Sequence, residues 1–136
     1  MEKAADGVWH VRGGSHKMKE HVFLVGAPLG DGRTKAVLRE VRKTIPGKPI
    51  HTVLSTHLHF DHSDGLRAAA SEGILIATFR DNVKFFKAAY GGKDSIKPDA
   101  HATSGKGLNL LLLETNTSLQ TLAVGGNAPF GRQCPQ

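Results

Sequence analysis

Between Ser55 and Gly65 the chain reads STHLHFDHSDG, which places three histidines and two aspartates in eleven positions. His57 and His59 stand two residues apart where a strand is expected to end. On extended backbone, side chains two apart point the same way, so both imidazoles can converge on one point. A neutral imidazole nitrogen is a good zinc ligand at ~2.0–2.1 Å. Asp61 and His62 follow as the chain leaves the strand for a helix, and they offer a nitrogen and an oxygen beside the first pair. The four side chains can serve two adjacent metals, or one metal with Asp61 as the carboxylate that orients a water. Zinc lowers the pKa of a bound water to ~7 and polarises a substrate oxygen, so hydrolysis of a carbonyl or phosphoryl compound is the chemistry this set suits. A catalytic zinc takes three protein ligands and a water, and His57 and His59 are only two of the three. The competing reading is a histidine-rich surface loop beside a capping aspartate. Three histidines and Asp61 within six residues, after a β-branched strand, argue against it.

HVFLV at 21–25 is a short apolar run before the turn-prone GAPLGDG, and reads as a buried strand and a loop. Residues 34–45 place Val37, Leu38, Val41 and Ile45 on one helical face, with Thr34 as cap and Pro46-Gly47 as stop. IHTVLS at 50–55 is β-branched enough for a strand. A short helix is expected over 64–71 with Leu66, Ala69 and Ala70 inward and Gly73 ending it. ILIATF at 74–79 reads as a strand, and Asp81 as the cap of a helix reaching Tyr90 with Val83 and Phe86 on its inner face. Strand and helix alternate, so the pattern is α/β with crossover connections and one shared sheet. Trp9, Phe85, Phe86 and Tyr90 are expected in the core. His21 and His51, at strand starts, are expected to face solvent, and His10 to face the surface or cap a strand pair. His16 is a candidate for the border of the metal cleft.

The 136 residues suffice for one ordinary domain. With 39% hydrophobic and 22% charged residues the composition is globular. No apolar run approaches the ~18 residues of a membrane span, and MEKAADGVWHVRGG lacks the apolar centre of a secretory signal. A cytoplasmic location is the default expectation. Cys134 is the single cysteine, so no intrachain disulfide can form. The net charge is +6, yet the basic residues are scattered, several at helical spacing, and read as a solvated face; nucleic acid is not an expected partner.

Beyond residue 102 the character changes. Residues 103–136 hold three charged residues, Lys106, Glu114 and Arg132, with no histidine after His101 and no aspartate after Asp99. LNLLLL at 108–113 suits a strand, and the rest shows no sustained period. Two readings stay open for 103–136: an ordinary loop-rich C-terminus, or a tail that is truncated or out of its native frame. Residues 1–102 form the other expected unit.

THLHFDH at 56–62 fits the HxHxDH signature of the metallo-β-lactamase superfamily, and the chain from about residue 7 to 101 resembles the N-terminal half of such a protein. The resembling stretches are GVWHVRGGSH, HVFLVGAPLGDGR, IPGKPIHTVLSTH and FDHSDGLRAAASEGILIATF. The resemblance implies an αββα sandwich, of which this chain holds an incomplete, N-terminal half. It implies that His57 and His59 bind a first zinc and Asp61 and His62 a second, with hydrolysis by a metal-bound hydroxide of a small-molecule substrate whose class stays open. It also implies later ligands, a histidine, a bridging aspartate and a last histidine, and the sequence departs from the pattern there. His101 stands in a polar stretch, KPDAHATSGKG, and is not expected to replace them. The alternative is therefore a non-catalytic chain with weak or no metal binding. Half a sandwich leaves one sheet face to cover, so self-association is the expected partnership.

Overall fold

The computed structural model describes residues 2–5, 8–10, 15–17, 20–91 and 97–114. They form one seven-stranded sheet with helices interleaved in the chain. Strands β1 (Glu2–Ala5), β2 (Val8–His10), β3 (Ser15–Lys17) and β4 (Val22–Val25) are antiparallel neighbours. From β4 onward the pairing is parallel, through β5 (Ile50–Ser55), β6 (Leu75–Phe79) and β7 (Leu110–Leu113). Spatial order equals chain order from β1 to β7. The expected strands at 21–25, 50–55, 74–79 and within 108–113 all lie in this sheet. Parallel neighbours need a crossover, and helices supply it: α1 (Gly30–Thr44) between β4 and β5, α2 (Phe60–Ser63) and α3 (Leu66–Ser71) between β5 and β6, and α4 (Val83–Gly91) and α5 (Ala100–Ser104) between β6 and β7.

Alternation along the strands sorts the side chains onto two faces. Val22, Leu24, Val53, Ile76 and Leu110 pack with Leu38, Val41 and Ile45 of α1, Leu66 and Ala69 of α3, and Phe86 of α4. Val83 and Tyr90 pack partly buried against this core, as their spacing with Phe86 predicts. The intervening residues Phe23, Ala77 and Leu113 are buried on the other face, with Val25, Leu54 and Leu111 partly buried beside them. Such near-continuous apolar runs mark parallel strands whose two faces are both apolar. Among the described residues, no helix is long and apolar enough to cross a membrane.

Several expectations need correction. Helix α1 starts at Gly30, four residues before Thr34, so Thr34 is no cap but a buried residue of the helix with an unpartnered hydroxyl. The helix enters instead from Leu29, whose φ of 58° is unusual for a branched side chain. Asp81 lies inside a 3-10 turn (Arg80–Asn82) that leads into α4. The helix expected over 64–71 is α3, which starts two residues later at Leu66 behind a separate short helix, Phe60–Ser63, and Gly73, at φ 82°, follows it as its stop. Phe85 is exposed rather than in the core. His21 is buried, not solvent-facing, while His51 is exposed as expected. His101 is buried within α5, not in a polar loop. Trp9, His10 and His16 lie on strands whose side chains are outside the described set, as are residues 115–136 of the expected tail.

One polar clamp ties the helices together. Arg67 of α3 grips Asp99 with two nitrogens, one of them 3.0 Å from Asp99 Oδ1, and its guanidinium lies 5.4 Å from the centre of the Tyr90 ring. Asp99 also caps α5 by accepting from the Ala102 N–H at 2.8 Å. The Arg67 hydrogen bond holds the Asp99 carboxyl down to about 2. Burial lowers the pKa of both His21 and His101. All three shifts have one sign: the unfolded chain takes up protons at higher pH than the folded one, so acid removes stability. Urea denaturation across pH should show stability falling below about pH 6.5 as unfolded histidines protonate, and again between about pH 4 and 2 as Asp99 does. His101→Gln is expected to shrink the first fall, and Asp99→Asn to abolish most of the second.

Candidate metal centre

The motif begins where β5 stops. The buried Ser55 hydroxyl donates to the His57 carbonyl at 3.0 Å. The Ser63 hydroxyl reaches the carbonyls of Leu58 and His59 at 2.9 and 3.0 Å. Carbonyls that have left the sheet ladder need partners, and these serines supply them from both sides of the turn. His59 keeps extended backbone and its carbonyl accepts from the N–H groups of His62 and Ser63, which starts α2. Asp61 and His62 thereby sit on that helix, back over the strand end.

A second set of bonds ties this turn to the β4–α1 loop. Ala27 N–H donates to the His62 carbonyl at 3.0 Å, and Gly65 N–H donates to the Ala27 carbonyl at 2.9 Å. Here the backbones come so close that a Cβ on Gly65 would lie 1.9 Å from Thr34 Oγ1 and 2.9 Å from the Gly30 carbonyl oxygen. Only glycine fits at 65.

The result is a cluster. The nearest ligand atoms of His57, Asp61 and His62 all lie within 4.8 Å of one another. The rings of His57 and His62 are 4.1 Å apart between centroids, and His62 Nε2 is 3.4 Å from Asp61 Oδ2. Thr56 Oγ1 stands 3.1 Å from His57 Nδ1. In the tautomer that donates there, His57 Nε2 keeps its lone pair. His59 is exposed and outside the group of three, its ring edge-on to His57 at 5.0 Å. His101 is elsewhere, under α3 and α5, with its ring 5.9 Å from that of Tyr90.

These residues fit a zinc ion. A tetrahedral ion with bonds of ~2.0–2.2 Å spaces its donors by about 3.3–3.6 Å. The Asp61–His62 separation already matches, and the wider spacing to His57 closes by rotation of side chains that are half exposed. Two nitrogens and one oxygen are a donor set that zinc accepts. Sequence reasoning missed the residues that hold the turn: Ser55, Ser63, Ala27 and Gly65. The serines bracket the motif symmetrically, which is a usable signal; the Gly65 contact comes from a helix 30 residues away and leaves none.

No protein-family model matches the sequence, and no curated protein matches it. Solved structures do match. A metallo-beta-lactamase from Hirschia baltica superposes with a TM-score of 0.56 at 21% identity, over 65% of this chain and 47% of that one. A metallo-beta-lactamase from Pontibacter korlensis gives 0.53 at 18%, over 88% and 44%. One from Pseudomonas aeruginosa, in a mono-zinc form, gives 0.50 at 24%, over 60% and 42%. The chain spans less than half the length of each. What it shares with them is the fold: a mixed helix and strand architecture that matches part of theirs.

The close approach at Gly65 makes a direct prediction. Gly65→Ala must push α1 away from the motif turn, and such overpacking costs about 1–3 kcal/mol. Urea denaturation should register that loss, while Gly32→Ala, where a Cβ meets nothing within 4 Å, should not.

Proposed function

We propose that residues 57–62 hold a divalent metal, zinc, and that the chemistry they serve is metal-dependent hydrolysis. The observation that carries this reading is the convergence of His57, Asp61 and His62 at the end of β5. The fold it shares with metallo-beta-lactamases, one of them solved in a mono-zinc form, supports it. His57 and His62 would hold the ion through ring nitrogens, with His59 turning in as the third nitrogen; its exposure and extended backbone leave it free to do so. A zinc ion there would supply Lewis acidity and lower the pKa of a water toward neutrality. Asp61, with its carboxylate half exposed, would be the oxygen donor beside His57 and His62 or, with His59 turned in as the third ligand, would accept a hydrogen bond from that water and orient it. The substrate would be a small molecule with a carbonyl or phosphoryl centre.

One observation favours a second reading, a non-catalytic chain with weak metal binding. Among the described residues the group of potential ligands stops at three, and His101 is buried away from it. Losing even the partner that supports a ligand costs about 10–100-fold in affinity, and a missing ligand takes its supporting partner with it. Zinc counted by mass spectrometry after dialysis decides between the two. We expect close to one zinc per chain, lost in the His57→Ala/His59→Ala variant. Zinc no higher than in that variant would favour the weak-binding chain.

A further inference from the structure

At the opposite end of β4 and β5 from the motif, two more histidines meet. His21 immediately precedes β4 and His51 is the second residue of β5; because the strands are parallel, both lie at the same edge of the sheet. Their ring centroids are 5.1 Å apart, with the planes tilted by 46°. His21 is 8% exposed, and its Nε2 is buried with no hydrogen-bond partner. Buried polar atoms are nearly always partnered, so an orphaned imidazole nitrogen asks for an explanation. His101 Nε2 is also orphaned, but its neighbours are the Tyr90 ring and the charges of Arg67 and Asp99, with no second imidazole stacked on it among the described residues.

His51 is poised in a different way. Its Nδ1 lies 2.7 Å from Thr52 Oγ1, and Thr52 is buried. When Nδ1 donates there, Nε2 carries the lone pair, and the ring is oriented as metal-ligating histidines are, with the second nitrogen anchored. Two imidazoles bound to one ion in adjacent positions, with bonds of ~2.0–2.1 Å, place their centroids about 4.5–5.3 Å apart. The observed separation falls inside that window. Glu20 adds a nearby negative charge and Lys48 a positive one.

We propose that His21 and His51 form a second metal site, for a borderline divalent cation bound by two imidazole nitrogens and completed by water, with Cu2+ held most tightly. Imidazole suits copper, nickel and zinc, and affinity among first-row ions peaks at copper. His51 is exposed and acts as the mobile arm, while His21 is the fixed one. The site is independent of residues 57–62, so it stands whether or not the hydrolase reading does.

The probe is Cu2+ alone, titrated into the full chain and followed by electron paramagnetic resonance and calorimetry. In the His57→Ala/His59→Ala/His62→Ala background we expect one copper per chain, with hyperfine structure from two nitrogens. Adding His51→Ala should weaken binding at least tenfold and remove one of the nitrogens. Thr52→Val should weaken it about tenfold through the lost anchor. Should the triple variant fail to fold, the same comparison runs in the wild-type chain, where His51→Ala should lower the copper count by one. Copper binding unchanged by His51→Ala, or no copper in a folded triple variant, would overturn the assignment.

Discussion

The motif turn depends on one close approach. Ala27 bridges the gap between the β4–α1 loop and the α2–α3 turn, its N–H donating to the His62 carbonyl and its carbonyl accepting from the Gly65 N–H, and the absent Cβ at 65 lets the segments meet. The arrangement of residues 57–62 hangs from that seam. It holds α1 against α3, which fixes how α2 leaves the strand, which in turn sets Asp61 and His62 over His57. The flanking hydroxyls of Ser55 and Ser63 finish the job by fixing the carbonyls of the turn.

The helix side of the sheet follows the same economy. Small residues, Ala68, Ala69 and Ala70, line the buried part of α3 and let it sit low on the strands. Larger side chains, Leu38, Val41 and Phe86, fill the spaces on either side. The Arg67–Asp99 pair then spans from α3 to the start of α5, with Tyr90 of α4 beneath the guanidinium. Burial raises the Tyr90 hydroxyl against the opposing pull of the Arg67 charge, while the hydrogen bond from Arg67 lowers Asp99, which marks the clamp as a place where charge is held by structure.

Much of this was legible in the sequence. The strands came from local signals: β-branched and apolar runs of four to six residues bounded by turn residues. The His/Asp cluster is legible as a concentration of ligand types, but the two-residue strand period does not place it: β5 ends at Ser55, and the turn that follows gathers His57 with Asp61 and His62 and leaves His59 outside that group. What failed was whatever a distant partner decides. The start of α1 was placed at Thr34 because threonine is a good cap, yet packing against Gly65 lets the helix run through two glycines to Leu29. A strand-start position suggests that His21 faces solvent, and a polar stretch suggests a loop around His101, but neighbouring elements cover both. Phe85 was read as core from its type, though the helical period turns it outward while Phe86 faces in. A histidine's burial is set by its neighbours in space, and a single sequence does not display them.

The sheet's strand order has a consequence for how the chain is made. Each strand from β2 to β7 pairs with the strand that precedes it in sequence. A chain emerging residue by residue from a ribosome therefore finds every new strand's template already in place, and the sheet grows from one edge in the order of synthesis. No described strand waits for one beyond its neighbour in the chain, so the separation of pairing partners is only as long as the crossover helices between the parallel strands require. The metal motif emerges after four strands are laid down and β5 has joined them. Its histidines reach solvent on a scaffold that is already built beneath them.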